Sequence, residues 1–299
     1  MSTHQPGILA PLPLHGRYLF FTLSGQGALR ESLREGAERM DGDHAVLGLG
    51  LPLLDALGVQ VPGMREFQPL QAGSVAIPST PVALWVWLRG KDRGALVQQT
   101  RAIAHAFAPA LRLHAVVDGF RYGRGPNGHG RDLTGYEDGT ENPDGAAASR
   151  AALVSRQGAG MNGSSIAAIQ QWQHDLDGFD CMAQADRDAM IGRRRRDNVE
   201  LDDAPASAHV KRTAQEGFRP PAFLLRRSMP WADAERCGLM FVAFGKSLDA
   251  FEAQMRRMAG LDDGVTDALF GISRPLTGAQ VWCPPMHQGR IDLRVLGGG

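Results

Sequence analysis

Between Gly135 and Gly145 the chain reads GYEDGTENPDG, with carboxylates at Glu137, Asp138, Glu141 and Asp144 among three glycines and a proline. Glycine supplies backbone angles at positive φ, and Asn and Asp side chains bond their own backbone in turns, so turn formation accounts for much of this composition. Turn chemistry leaves open what one acid held there would be for. Downstream, His209 stands in PASAHVKR, and Arg226 and Arg227 in LLRRSMPW. Singly, each has a plain reading: Asp138 a turn former, His209 a strand-edge side chain, the arginines surface charges.

Other chemistries lack their usual signatures. The histidines at 4, 15, 44, 105, 114, 129, 174, 209 and 287 form no HExxH, and no CxxC is present, so a zinc site has no support. GxSxG and GxxxxGK[ST] are also missing. With 32 Lys and Arg against 32 Asp and Glu, the formal charge is zero. No global field draws the chain to nucleic acid or an anionic membrane. The three cysteines, Cys181, Cys237 and Cys283, are too few and too scattered for a disulfide framework, which fits a reducing compartment. The N-terminus has neither a basic region before a long apolar stretch nor a twin-arginine pair. No segment approaches the ~18 apolar residues of a membrane span. A soluble, cytoplasmic protein is the expectation.

The elements that must position these residues fall into two similar halves. RYLFFTLSG (17–25) reads as a buried strand, and Leu29, Leu33, Ala37 and Met40 fall at helical spacing after it. An apolar run at 45–49, the strand VALWVWLRG (82–90), a helix through Leu96, Thr100, Ile103 and Phe107, and the strand LRLHAVVDGFRY (111–122) complete a βαββαβ order. The second half repeats it, with strands at 165–172, 222–227, 239–244 and 279–283 and helices at 183–191 and 248–258. The expected fold is α+β: two tandem ferredoxin-like units with antiparallel sheets, at 1–125 and 164–299. The Gly-rich segment 126–163 connects them and carries the GxxDG motif, and function often sits on such connections.

GYEDGTENP, AIQQWQHDLDGFD, AMIGRRRRDNVEL, AHVKR and RRSMPW, in this order, resemble the dye-decolourising peroxidases, haem enzymes of double ferredoxin-like fold. The resemblance runs from GILAPLP to RPLTGAQVWCPP, essentially the whole chain, and is nearest to the cytoplasmic subgroup called B-type. It implies haem b in a pocket of the C-terminal unit, with His209 as proximal iron ligand and Asp267 as acceptor for its other ring nitrogen. Asp138 and Arg226 would act on peroxide from the distal side, Asp138 moving a proton and Arg226 stabilising the leaving oxygen. An unshifted aspartate there implies an acidic optimum. Ser228 matches a small polar position that holds the distal water, Phe241 an aromatic that walls the pocket, and Arg193 a propionate contact from the run 193–196.

The implied activity is reduction of hydrogen peroxide and one-electron oxidation of bulky dyes and phenolic reductants through a ferryl intermediate. A homo-oligomer is expected. An alternative of another class is a haem-binding or haem-delivery protein with little turnover; it needs His209 but not the Asp138 and Arg226 pair. Some relatives enter encapsulin shells through apolar C-terminal tails, and this tail carries Ile291, Leu293, Val295 and Leu296. A final pairing strand is its plainer reading.

Overall fold

The structure, a computed structural model, describes residues 3–297. In chain order the first half contains α1 (Pro6–Leu9), β1 (His15–Leu23), α2 (Leu29–Ala37), β2 (Ala45–Gly50), α3 (Leu51–Ala56), β3 (Leu70–Ala72), β4 (Val75–Ile77), β5 (Leu84–Gly90), α4 (Arg93–Phe107) and β6 (Leu111–Phe120). The second half contains α5 (Gly145–Ala152), β7 (Ser165–His174), α6 (Leu176–Cys181), α7 (Gln184–Ile191), α8 (His209–Arg212), β8 (Leu225–Arg226) and β9 (Met229–Ala232). It continues through β10 (Cys237–Gly245), α9 (Asp249–Met258), β11 (Ser273–Pro275), β12 (Ala279–Cys283), β13 (Met286–His287) and β14 (Arg290–Ile291).

The large sheet is antiparallel throughout. One half has the order β6-β1-β5-β2, and the other places β7 between β12 and β10. Pairing of β2 with β12 and of β6 with β9 joins the halves, so eight strands close into a ring. Closure removes most free strand edges. The period of two along each strand then separates inside from outside. Tyr18 on β1, Trp85 and Trp87 on β5, and Met240, Val242 and Phe244 on β10 fill one core. Alternate residues face the helices: Leu19 and Phe21 pack towards α2 and α4, while Trp172, Ala243, Leu239 and Phe241 pack with Phe251, Met255 and Met258 of α9. That last face carries the candidate site.

Local sequence explains the elements. Asp92 caps α4 by accepting from Ala95 N–H at 2.7 Å, and Leu96, Thr100, Ile103 and Phe107 form its buried face. The strand expected at 222–227 shrinks to β8, followed by the separate β9. Pro220 and Pro221, which offer no N–H to a ladder, delay pairing until Leu225. In place of a final pairing strand, the C-terminal tail forms a β13–β14 hairpin and a 3-10 turn at Arg294–Leu296. Positive φ at Gln288 (51°) and Gly289 (82°) makes that tight turn. Ile291 and Leu296 are buried in the core shared with α2 and α4. The segment 126–163 is not all loop, because the alanine-rich GAAASRAA forms α5. GRGPNG, after β6, has the spacing GxGxxG but opens a loop instead of a helix, so it lacks the context of a dinucleotide site. No helix among the described residues is long and apolar enough to cross a membrane.

Candidate active site

The GxxDG turn is fixed from both ends. Gly135 (φ 86°) and Gly139 (φ 75°) take left-handed angles, and Asp138 N–H donates to Gly130 O at 2.9 Å. Tyr136 is buried edge-on against Phe179 and donates its hydroxyl to Asp188. On the other side Asn142 grips the backbone of Arg226. Its Oδ1 accepts from Arg226 N–H at 2.8 Å and its Nδ2 donates to Arg226 O at 3.0 Å. The acid of the turn and the arginine of β8 are thereby tied together although they lie 88 positions apart, at 138 and 226.

Burial pushes the Asp138 carboxyl above the ordinary aspartate value; nearby Arg226 opposes that shift and the charge of Asp132 adds to it. Asp132 itself is held at about 2: burial works against its ionisation, but the His174 contact at 3.2 Å and bonds from Thr134 N–H and hydroxyl outweigh it. The second nitrogen of His174, Nδ1, meets Ser273 Oγ at 2.7 Å, across the β7–β11 pairing.

His209 begins α8, a single helical turn, and is not on a strand edge. Its Nδ1 donates to Asp267 Oδ2 at 2.8 Å. A carboxylate only accepts, so this bond fixes the tautomer and leaves Nε2 without a hydrogen-bond partner among the described residues. Asp267 is 1% exposed, and its Oδ1 accepts from Leu269 N–H at 2.9 Å. The neighbouring acids are engaged elsewhere, Asp263 with Arg212 at 2.7 Å and Asp262 with Arg256 at 3.2 Å.

One cavity is lined by Asp138, Arg226, His209, Phe241 and Arg193. Trp172, Leu239, Met255 and Met258 give it apolar walls, and His174 and Ser273 reach it as well. Its open volume is ≈ 130 Å³, narrower than a typical ligand site, and two of its walls are flexible methionines able to yield. Arg193 is already paired with Glu141 at 2.5 Å and Glu200 at 3.0 Å. Ser228 does not line this cavity. It is buried behind it, its Oγ 3.4 Å from Val242 N, and it borders a second recess that Asp138 and Arg226 also reach. Sequence reasoning did not single out His174, Ser273 or the α9 methionines for the site. The strand alternation that buries Trp172 and His174 on one face was a usable signal for the former.

Residues 129–288, more than half of the chain, match the family described as Dyp-type peroxidase, C-terminal. The chain belongs to the Dyp-type peroxidase family. A dye-decolorizing peroxidase of Mycolicibacterium paratuberculosis is 28% identical over 301 residues, covering 94% of this chain and 83% of that protein. A Dyp-type peroxidase structure from Shewanella oneidensis is 26% identical with a TM-score of 0.85, over 99% of this chain and 98% of that one. A variant of the Rhodococcus jostii protein DypB, solved in complex with heme, shares the fold at 24% identity and a TM-score of 0.81, over 92% of this chain and 94% of that one. As in these Dyp-type relatives, the fold is mixed α+β with an extensive antiparallel sheet. The cavity described above lies within the matched region, from Glu137 to Ser273.

Proposed function

We propose that the chain is a haem b peroxidase that reduces hydrogen peroxide at the expense of dyes and phenolic reductants. The observation that carries this is the sharing of one cavity by an imidazole oriented through Asp267 and by an acid clamped to an arginine. The donor set fits the cofactor. His209 would hold the iron through Nε2, the apolar side chains of Trp172, Leu239, Met255 and Met258 would pack on the macrocycle, and Arg226 Nε is buried without a partner in the same place. When bound, haem supplies the iron that takes up peroxide and stores its oxidising equivalents.

The chain's own residues do the rest. Asp267 holds the Nδ1 proton of His209 and makes the imidazole a stronger donor. The Asp138 carboxylate would accept a proton from one oxygen of peroxide and return it to the other, which would leave as water. Arg226 stabilises the negative charge that builds on that oxygen. Each turnover would consume two one-electron reductants and two protons, the second peroxide oxygen also ending as water. Phe241 walls the pocket. Arg193 would have to exchange Glu141 or Glu200 for a propionate, and Ser228 would act from behind the distal wall.

The strand orders support a division into two tandem ferredoxin-like units, 1–125 and 164–299, joined by 126–163, with haem in the C-terminal unit. We expect a homo-oligomer in the cytoplasm, which suits three cysteines that form no disulfide. The burial of Ile291 and Leu296 favours a tail that closes the fold over one that enters a shell. The test is peroxide-dependent bleaching of an anthraquinone dye by haem-loaded protein. Asp138→Ala and Arg226→Leu should each retain the haem absorption and lose most of the bleaching rate. Wild-type protein that binds haem without bleaching would instead point to haem carriage.

A further inference from the structure

Asp138 and Arg226 also border a second recess, of ≈ 260 Å³, on the side away from His209. Its mouth is the loop 123–130, which is firmly built. Gly125 N–H donates to His129 O at 2.8 Å and Gly128 N–H to Gly125 O at 3.0 Å. Asn127 N–H donates to the Glu137 carboxylate at 2.8 Å, so the loop is pinned to the GxxDG turn itself.

The charges lining this recess are one-sided. Arg121, Arg124, Arg226 and Arg227 line it together with His129, and Asp138 is its one carboxylate. Among the described residues none of the four arginines makes an ion pair with an acid. Arg121 and Arg124 are exposed; Arg227 reaches only the carbonyls of Arg226 and Leu9, and the Nε atoms of Arg226 and Arg227 are buried with no partner. Four guanidinium groups lining one recess with a single carboxylate among them repel one another, and the buried Nε donors of two of them are unused, a state that an anion with several oxygens relieves.

We propose that this recess binds a small oxyanion, of the phosphate, sulfate or carboxylate type, between the loop arginines Arg121 and Arg124 and the inner pair Arg226 and Arg227. Such an anion lies next to the groups that would handle peroxide. It weakens the field of Arg226 and opposes ionisation of Asp138, so it acts as a brake on the distal side. That consequence rests on the peroxidase roles proposed above; the binding does not.

Calorimetric titration of the full-length, haem-loaded protein with inorganic phosphate, at constant ionic strength, tests the binding without turnover. Wild type should give saturable single-site binding. The Arg121→Ala/Arg124→Ala double variant, which removes only exposed side chains, should bind about tenfold more weakly or worse, a change of ~1.4 kcal/mol. Arg101→Ala, on α4, should match wild type. Parallel titrations with sulfate and acetate separate the sources: acetate binding without phosphate binding supports a carboxylate occupant. No saturable binding of any of the three, or equal affinity in the double variant, overturns the proposal and leaves the peroxidase reading standing.

Discussion

Asn142 holds the backbone of Arg226 with both ends of its amide, accepting at 2.8 Å and donating at 3.0 Å. The backbone of Arg226 on its two-residue strand is therefore tied to the turn that carries Asp138. Asn142→Ala should cut the second-order rate constant for peroxide by ten- to a hundredfold, the order expected from a misplacement of about 1 Å. Haem affinity, measured by absorption titration, should stay near wild type, since no ligand to iron is touched.

The pH profile should follow the raised pKa of Asp138. In the proposed role of a base, its work is lost as pH falls through a value above that of an ordinary aspartate, so the acid limb should lie higher than an unshifted Asp138 would give. Asp132 contributes to the shift by charge repulsion. Asp132→Asn removes that charge, lowers the Asp138 pKa and moves the acid limb of kcat/KM for peroxide to lower pH. A limb that stays put or moves upward would show that another group governs it.

Asp267 is buried with both oxygens committed, one to His209 and one to Leu269 N–H. Asp267→Ala should lower haem affinity by about ten- to a hundredfold, the usual effect of losing the partner of a metal-ligating histidine. Asp267→Asn should retain more haem but raise the iron reduction potential, because a neutral amide donates less to the ring. Spectroelectrochemistry would read the change directly.

Much of this site was legible in the sequence because its chemistry is concentrated in short motifs. Asp138, His209, Arg226 and Phe241 do meet in one cavity, and Asp267 is the acid on His209. The apolar runs and the helical spacings likewise anticipated most of the strands and helices. Pairings over long separations could not be read that way. Closure of the ring depends on the short contacts of β2 with β12 and β6 with β9, which leave no local pattern. Arg193, expected at a propionate as one of four consecutive arginines, pairs in the structure with carboxylates at positions 141 and 200. Ser228, expected from the resemblance at a small polar position near Arg226, lines the second recess together with Asp138 and Arg226.

The helical layer over the first half makes a stability prediction that is independent of the site. At Gly36 on α2, a Cβ would stand 2.0 Å from the ring of Phe107 on α4. Gly36→Ala should destabilise the chain by roughly 1–3 kcal/mol through overpacking, despite the better helix propensity of alanine. Denaturant unfolding of haem-loaded protein would show a lower midpoint, with little change in dye oxidation below the transition.

The most direct measurement is the absorption spectrum of haem-loaded wild type and His209→Ala before and after one equivalent of hydrogen peroxide. Wild type should show a Soret band that changes with peroxide and returns when a reducing dye is added, while His209→Ala should lose the band or fail to cycle. An inert Soret band in wild type, or a His209→Ala variant that cycles like wild type, would contradict the placement of peroxide chemistry between His209 and the Asp138–Arg226 pair.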